Sequence, residues 1–307
     1  MPGTSPPIIN AVLVASDLSK ASDALVQQAS ALAARGGADL HVVSVYSSPT
    51  SRFGEDPEVP EAVMTEIREA LPAQLRRILP DSGRPASEEV RFGSPATVIL
   101  ERARETRSDL IVLGAHRGRD VNAQFLGTTA DEVLRETEIP CLVLRGRFSM
   151  PLARIGVATD FSAIGTGALE RAVDWAAWLG SGAAGEDGVT LCAAHVLHPS
   201  ERDEETDCRA RLEQAIEDAC RQAGESASSV VPEPEILVGS DAPSALIDWV
   251  KGGRLDLLAA GTHGKSGWQR SLLGSTSSAL ARRAPCPVLL VPRSDGSPMG
   301  DGAENDR

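Results

Sequence analysis

The 307-residue chain has few aromatic side chains, few cysteines and no long apolar run. Aromatic residues make up only 3% of it, so its core has to be built from Ala, Val, Leu and Ile. The five cysteines include no C-x-x-C pair, which indicates a reducing compartment where thiols act as small apolar residues. No run of about 20 apolar residues exists, so we expect no membrane span. The opening MPGTSPPIIN has no basic leader, so we expect no secretory signal and a cytoplasmic protein.

Positive charge is also in short supply, with 30 Lys and Arg against 43 Asp and Glu, which gives a net charge of −13. Such a surface repels phosphate backbones, so we expect neither nucleic acid nor an anionic membrane as a main partner. A nucleotide site can exist in this negative electrostatic field only if hydrogen-bond donors within the site are directed at the phosphates. The length suits about two ordinary domains.

The two halves of the sequence resemble each other. The segment INAVLVASDLSKASDALVQQASALAA at 9–34 matches LARIGVATDFSAIGTGALERAVDWAA at 152–177, and Asp17 lies 143 residues before Asp160. Further along, Gly114 and Gly261 are 147 residues apart, as are Gly127 and Gly274. A nearly constant offset over this distance predicts a duplicated unit.

Each half alternates short β-branched runs with amphipathic segments. The first half predicts strands near 9–15, 40–46, 88–92, 109–114 and 141–145. The helix after Asp17 should begin at Ser19 and end at Gly36–Gly37, and its twin should run from Ser162 to Gly180. We therefore predict an α/β fold of two open, mostly parallel sheets with helices on both faces. Ligands of such sheets bind beyond the carboxyl ends of the strands, where the strand order reverses.

We expect one domain at 1–147, a second at 152–293 and a disordered tail at 294–307. The segments 48–60, 180–188 and 199–207 should be exposed loops or solvated helix starts. The last strands, CLVLR and PVLLV, would be exposed edges in a lone domain. Pairing them about a pseudo-two-fold axis would make the chain an intrachain pseudo-dimer, and the sequence leaves a further homodimer open.

The tripeptide Gly264-Lys265-Ser266 resembles the end of a phosphate-binding P-loop, but the rest of that motif is absent. Its first glycine would fall on Ala259, and Gly267 follows the serine where a helix should start.

The second half instead contains G-x2-G-x9-G-[ST], which is Gly261, Gly264, Gly274 and Ser275. Glycines let phosphate approach backbone N–H groups, and the helix start at Gly274–Ser275 adds unpaired donors and hydroxyls. The alternative is that these glycines only make tight turns.

These motifs resemble the universal stress protein family in a tandem two-domain form. The markers are VATDFS, GTHGKSGWQRSLLGS and CPVLLV, with VASDLS, GAHRGRDVNAQFLGT and IPCLVL as weaker copies. The resemblance covers about 8–145 and 153–292. It implies a Rossmann-like fold of the adenine nucleotide alpha hydrolase type, ATP or AMP binding in some members, a role in stress adaptation, and dimers.

The family's contacts carry over well to the second half. The resemblance implies that Asp160 reaches the adenine and ribose end, that Val196 touches the base, and that the phosphates are held by Gly261, Gly264, Gly274 and Ser275. At the same helix start, Thr276 adds a hydroxyl that we also expect to bind the phosphates. Mg²⁺ or Mn²⁺ could accompany the phosphates, although no carboxylate or histidine cluster marks a metal site. The alternatives are a helix-capping turn for Asp160 and a core position for Val196. The histidines His116, His195, His198 and His263 are interpreted as structural.

The first half departs from the pattern. Its equivalent residues are Asp17, Val45, Gly114, Gly127 and Thr128, and Arg117 stands where the second glycine should be. A side chain there should block close approach of a phosphate, although Arg117 could instead reach the phosphate itself. We predict one strong adenine-nucleotide site, for ATP, in the second half and a degenerate first half.

No nucleophile, base and acid constellation is visible, so we do not expect a classical enzyme. The favoured hypothesis is an ATP-binding stress-response regulator with at most slow hydrolysis. A related ATP pyrophosphatase would need Ser-Gly-Gly-x-Asp-Ser after the first strand, where this chain has ASDLS and ATDFS. The third hypothesis is a nucleotide-free interaction scaffold of the same fold.

Overall fold

The computed structural model describes residues 9–47, 61–80, 83, 85–115, 126–180, 188–263 and 273–293. The strands are β1 Ala11–Ser16, β2 Asp39–Tyr46, β3 Ser87–Phe92, β4 Leu110–Gly114, β5 Cys141–Leu144, β6 Arg154–Ala158, β7 Val189–Leu197, β8 Val230–Val238, β9 Leu257–Gly261 and β10 Val288–Val291. The α-helices are α1 Lys20–Gly36, α2 Glu61–Ile78, α3 Pro95–Glu105, α4 Thr128–Glu136, α5 Ala163–Leu179, α6 Glu205–Ala223, α7 Ala242–Gly253 and α8 Ser275–Arg283. The predicted strands of the first half are confirmed to within two residues.

All ten strands form one sheet in the order β3-β2-β1-β4-β5-β10-β9-β6-β7-β8. Pairing is parallel within each half, and the two halves meet through the antiparallel pair β5 and β10. The last strands therefore cover each other, as predicted from their apolar character. In each half the strand order reverses between the first and fourth strands, β1 and β4 or β6 and β9, which places a cleft at the carboxyl ends of those strands.

Successive residues of the strands point to opposite faces of the sheet and enter two separate cores. Val12 and Val14 belong to the core on the face covered by helices α1, α2, α5 and α6, whereas Leu13 belongs to the core on the face covered by α3, α4, α7 and α8. Each core contains residues from both halves, so the junction is packed like a domain interior. The predicted apolar face of α5 is fully buried, at Leu169, Val173, Ala176 and Leu179.

The predicted ends of the first helix in each half are confirmed. Ser19 is the N-cap of α1 and accepts a hydrogen bond from Ser22 N, and Gly37 ends that helix in the left-handed region with φ 66°. Ser162 caps α5 through Gly165 N, and Gly180 follows the last turn. The helix caps set the direction in which each helix leaves the carboxyl edge of the sheet.

A 3₁₀ turn at Pro199–Glu204 leads into α6, so the segment 199–207 is a solvated helix start as expected. The predicted loop at 48–60, residues 181–187 of the predicted loop at 180–188 and the predicted tail at 294–307 lie outside the described residues. The domain limits 1–147 and 152–293 stay predictions, as does the disorder of the tail.

Candidate functional site

The larger cleft lies at the carboxyl ends of β6, β7 and β9, beside the N-terminus of α8. We call it the C-terminal cleft, and it has a volume of about 280 Å³, close to the lower end of the usual range of ligand sites. Its lining includes the predicted site residues Asp160, Val196, Gly261, Gly274, Ser275 and Thr276. The structure therefore brings together every predicted residue of the second half except Gly264, which lies outside the described residues.

Asp160 sits in a tight turn between β6 and α5. Its Oδ1 accepts a hydrogen bond from Ser162 N at 3.0 Å, and Thr159 Oγ1 accepts one from Phe161 N at 3.1 Å. Phe161 has a φ of 61°, a left-handed conformation that is uncommon for a residue with a side chain. The capping contact expected as the alternative for Asp160 is thus present, and the same turn places the residue at the cleft.

His195, on the neighbouring strand β7, also lines the cleft, which the sequence did not indicate. Its Nδ1 lies 2.8 Å from the carbonyl oxygen of Thr159. The Phe161 ring packs against the imidazole with 4.4 Å between centroids, and the Arg211 guanidinium lies 4.4 Å from the centroid of that Phe161 ring. Three side chains from β7, the turn and α6 therefore stack beside Asp160.

The N-terminus of α8 faces the cleft without a side-chain cap. Gly274 occupies the N-cap position and donates its own N–H to Thr262 O at 2.9 Å. The first N–H groups of a helix have no partner within the helix and carry partial positive charge, so they can receive an anion. Ser275 and Thr276 add hydroxyl groups at this position.

Ser277 has a different role from its two neighbours. Its hydroxyl is buried and donates to Gly261 O at 2.6 Å, so it ties the first turn of α8 to the end of β9. The equivalent residue in the first half is Ala130, which has no hydroxyl. The second half thus fixes its helix start more firmly than the first.

Sterics disfavour a side chain at Gly261 and leave little room for one at Gly274. A Cβ at Gly261 would lie 2.6 Å from Ile164 Cγ2, and one at Gly274 would lie 3.1 Å from Thr262 O. At the equivalent positions of the first half, a Cβ at Gly127 would meet nothing within 4 Å and one at Gly114 would make an ordinary contact with Leu25. Close packing around the helix start is therefore specific to the second half.

The N-terminal cleft occupies the equivalent place in the first half and has a smaller volume of about 110 Å³. Its lining includes the predicted residues Asp17, Val45, Gly114, Gly127 and Thr128. Arg117, which was expected to block or to reach a phosphate, lies outside the described residues, as does His116, which was interpreted as structural.

The turn at Asp17 is held by side chains that the sequence did not single out. Ser22 donates its hydroxyl to Asp17 Oδ1 and accepts a hydrogen bond from Asp17 N at 3.1 Å. The buried Gln74 of α2 accepts from Ser16 Oγ at 2.8 Å. Gly165 stands at the position of Ser22 in the second half and supplies no hydroxyl there. Comparing the two copies at this position would have revealed the difference from sequence.

Metal and thiol chemistry find little support in the described residues. No group of three or more His, Cys, Asp or Glu side chains that could hold a metal ion occurs among them. All five cysteines are free, and Cys141, Cys192 and Cys286 are buried, as expected for thiols that serve as apolar residues. No helix in the described part of the chain is long and apolar enough to cross a membrane.

Comparison with known proteins identifies the family. The model of the universal stress protein family matches twice, at 9–145 and 152–292. Universal stress protein G of Shigella flexneri is 31% identical over 129 residues, which are 40% of this chain and 89% of that protein. A universal stress protein of Thermus aquaticus is 30% identical over 135 residues, 44% of this chain and 97% of that protein.

The fold is shared with a solved structure over nearly its whole length. The crystal structure of a universal stress protein from Archaeoglobus fulgidus superposes with a TM-score of 0.70 and 22% identity, covering 94% of this chain and 98% of that one. The duplicated sequence, the ten-stranded sheet and the two family matches agree. The chain belongs to the universal stress protein family, as a tandem two-domain member.

Proposed function

We propose that the chain is an ATP-binding regulatory protein of the stress response, with its main nucleotide site in the C-terminal cleft. The observation that carries this proposal is the shared cleft of Asp160, Val196 and the uncapped N-terminus of α8. A carboxylate, an apolar wall and a cluster of N–H donors are the three elements that a nucleoside phosphate needs.

Each part of the nucleotide would have its own partners. The half-buried Val196 and the buried Leu246 supply apolar surface for the adenine ring. Asp160 can accept hydrogen bonds from the ribose hydroxyls. The phosphates would be held by the first N–H groups of α8, by the Ser275 and Thr276 hydroxyls and by the predicted Gly264.

Because the protein is strongly acidic, the hydrogen-bond donors that hold the phosphates have to be concentrated at one place. With a net charge of −13, the long-range field repels a triphosphate, so binding depends on short-range donors at the helix start. Mg²⁺ or Mn²⁺ bound to the phosphates would lower the ligand's own charge. We propose binding with at most slow hydrolysis, and the cytoplasmic location and a further homodimer stay predictions.

The N-terminal cleft is proposed to be the weaker site. The Ser22 hydroxyl already occupies Asp17 Oδ1, so a ribose hydroxyl would have to compete with it. A side chain would also fit at Gly114 and Gly127 without a clash, so the packing of this half does not itself require glycine at the two positions.

The proposal is tested by identifying the nucleotide that the protein carries through purification. We expect mass spectrometry of the denatured protein to detect ATP, and added ATP to raise the melting temperature of nucleotide-free protein. Purified protein that contains no adenine nucleotide and shows no thermal shift with ATP would favour the nucleotide-free scaffold instead.

A further inference from the structure

We infer that His195 is a positioning residue that holds the Asp160 turn in its ligand-binding geometry. This inference rests on the proposed function, because it assumes that Asp160 contacts the nucleotide. It assigns His195 a role that acts through the backbone of the turn, and it requires no contact between the imidazole and the ligand.

The hydrogen bond from His195 fixes the strand end immediately before Asp160. β6 and β7 pair with Ala158 opposite Ala194, so Thr159 and His195 lie side by side one residue later. Because a carbonyl oxygen can only accept, the 2.8 Å contact requires that Nδ1 of His195 carries the proton and donates it to Thr159 O. The direction of the Thr159 carbonyl sets the peptide plane that leads into Asp160.

The His195 ring also supports the residue that follows Asp160. Phe161 is held at a φ of 61°, which a residue with a side chain adopts only when its surroundings impose it. Its ring lies on the imidazole with 4.4 Å between centroids, and Arg211 covers that ring from α6. His195 therefore holds the turn on both sides of Asp160.

The first half is an internal comparison within the same chain. Leu18 has a φ of 62°, so the turn is the same, but Ser44 stands where His195 does, since β1 and β2 pair with Ser16 opposite Ser44. There the turn is held through the carboxylate, by the Ser22 hydroxyl on Asp17. In the second half, His195 instead stabilises the turn by its hydrogen bond to the Thr159 carbonyl and by stacking on the Phe161 ring.

The experiment compares ATP affinity in four full-length variants, His195→Asn, His195→Gln, Asp160→Ala and the double variant His195→Gln with Asp160→Ala. An asparagine amide can donate from the position of Nδ1, whereas the longer glutamine amide takes the position of Nε2 and leaves Thr159 O without its donor. We expect His195→Gln, which loses both the hydrogen bond and the ring stack, to bind ATP roughly 3- to 10-fold more weakly than His195→Asn, which loses only the ring stack, as for the loss of one neutral hydrogen bond.

The double variant distinguishes positioning from a merely structural role. If His195 acts through Asp160, His195→Gln should change ATP affinity by less than about twofold once Asp160 is already alanine. An undiminished effect in the Asp160→Ala background would overturn the inference, as would equal affinities of His195→Asn and His195→Gln. Wild-type protein that binds no ATP would overturn the proposed function itself, so the two failures are distinguishable. Melting temperatures confirm that each variant is folded.

Discussion

Arg282 of α8 and Asp131 of α4 form an ion pair across the junction of the two halves, with 2.9 Å between Nη2 and Oδ1. Arg135, which occupies the same position in the first copy as Arg282 in the second, binds the other oxygen of the same carboxylate at 2.8 Å. The second copy has Ser278 at the position of Asp131. The Asp131 carboxylate therefore binds the equivalent arginines of both halves. The second half has no carboxylate at the matching position, so the junction is asymmetric in charge.

The pKa of Asp131 follows from this arrangement and predicts a pH-dependent contribution to stability. Burial raises the pKa, but hydrogen bonds from Arg282 and Arg135 outweigh it and hold the pKa below its ordinary value of 3.8. A lowered folded-state pKa stabilises the fold above the unfolded value, and this contribution is lost as the pH falls through the folded value. We expect Asp131→Asn to lower the free energy of unfolding by about 1–2 kcal/mol at pH 7 and by less at pH 3, below the ordinary pKa of an aspartate.

Urea unfolding at the two pH values measures this difference. The control is Asp248→Asn, because Asp248 pairs with Lys251 on an exposed helix surface and should change stability by less than about 0.5 kcal/mol. An equal loss for Asp131→Asn at both pH values would contradict the ionic account.

A glycine at the end of α1 makes room for a tryptophan of the other half. A Cβ at Gly36 would overlap the Trp178 indole of α5. We expect Gly36→Ala to lower the free energy of unfolding by about 1–3 kcal/mol, as overpacking of a close contact does. Gly167→Ala in the second turn of α5 is the matched control, since a Cβ there meets nothing within 4 Å and should stabilise the helix by up to about 1 kcal/mol. Chemical denaturation of both variants checks the pair, and a stabilising Gly36→Ala would show that the junction is loosely packed.

Gly165 is predicted to leave room for the Asp160 carboxylate in its present orientation at the cleft. A Cβ at this position would lie 2.8 Å from both Asp160 Oδ1 and Thr159 Oγ1. Gly165→Ser recreates the arrangement of Ser22 in the first half, so the chain should still fold while ATP affinity falls by roughly tenfold or more. Calorimetric titration with ATP measures the effect, and Gly167→Ser is the control on the same helix. Unchanged affinity in Gly165→Ser would mean that this carboxylate does not need its present orientation.

Burial should make three of the five thiols unreactive in the native protein. Burial, assisted by Glu233, raises the pKa of Cys192 to about 12, and burial raises the pKa of Cys286 to about 12 and that of Cys141 further still. Titration with a thiol reagent at pH 8 should therefore modify at most the half-buried Cys208 and Cys220 rapidly, and all five thiols after unfolding. Rapid modification of a third thiol would show that a core segment opens in the native state.

Most of the fold could be predicted from the duplicated pattern, whereas part of the site could not. Apolar strands, the Ser19 and Ser162 caps and the glycine helix ends are local signals, so the sequence places them to within a residue or two. The roles of His195 and Gln74 come from neighbours that are distant in the chain, 36 residues from Thr159 and 58 from Ser16 respectively. Only the three-dimensional arrangement brings such pairs together.

A different limit on prediction from sequence applies to the amino ends of the first and fourth strands in each half. Asp109 accepts hydrogen bonds from the N–H groups of Asn10 and Ala11, and Asp256 accepts them from Ala153 and Arg154. Both aspartates begin the repeated segments DLIVLG and DLLAAG, so the signal is present in the sequence. Its meaning depends on knowing that the fourth strand of each half lies beside the first.

The number of ATP molecules bound per chain tests the central claim most directly. Isothermal titration of nucleotide-free protein should give one tight site per chain. Asp160→Ala should weaken that site by roughly 10- to 100-fold, as expected for the loss of hydrogen bonds to a charged group, and Asp17→Ala should leave it unchanged. Two tight sites per chain, or a single site abolished by Asp17→Ala and retained in Asp160→Ala, would contradict the assignment of nucleotide binding to the second half.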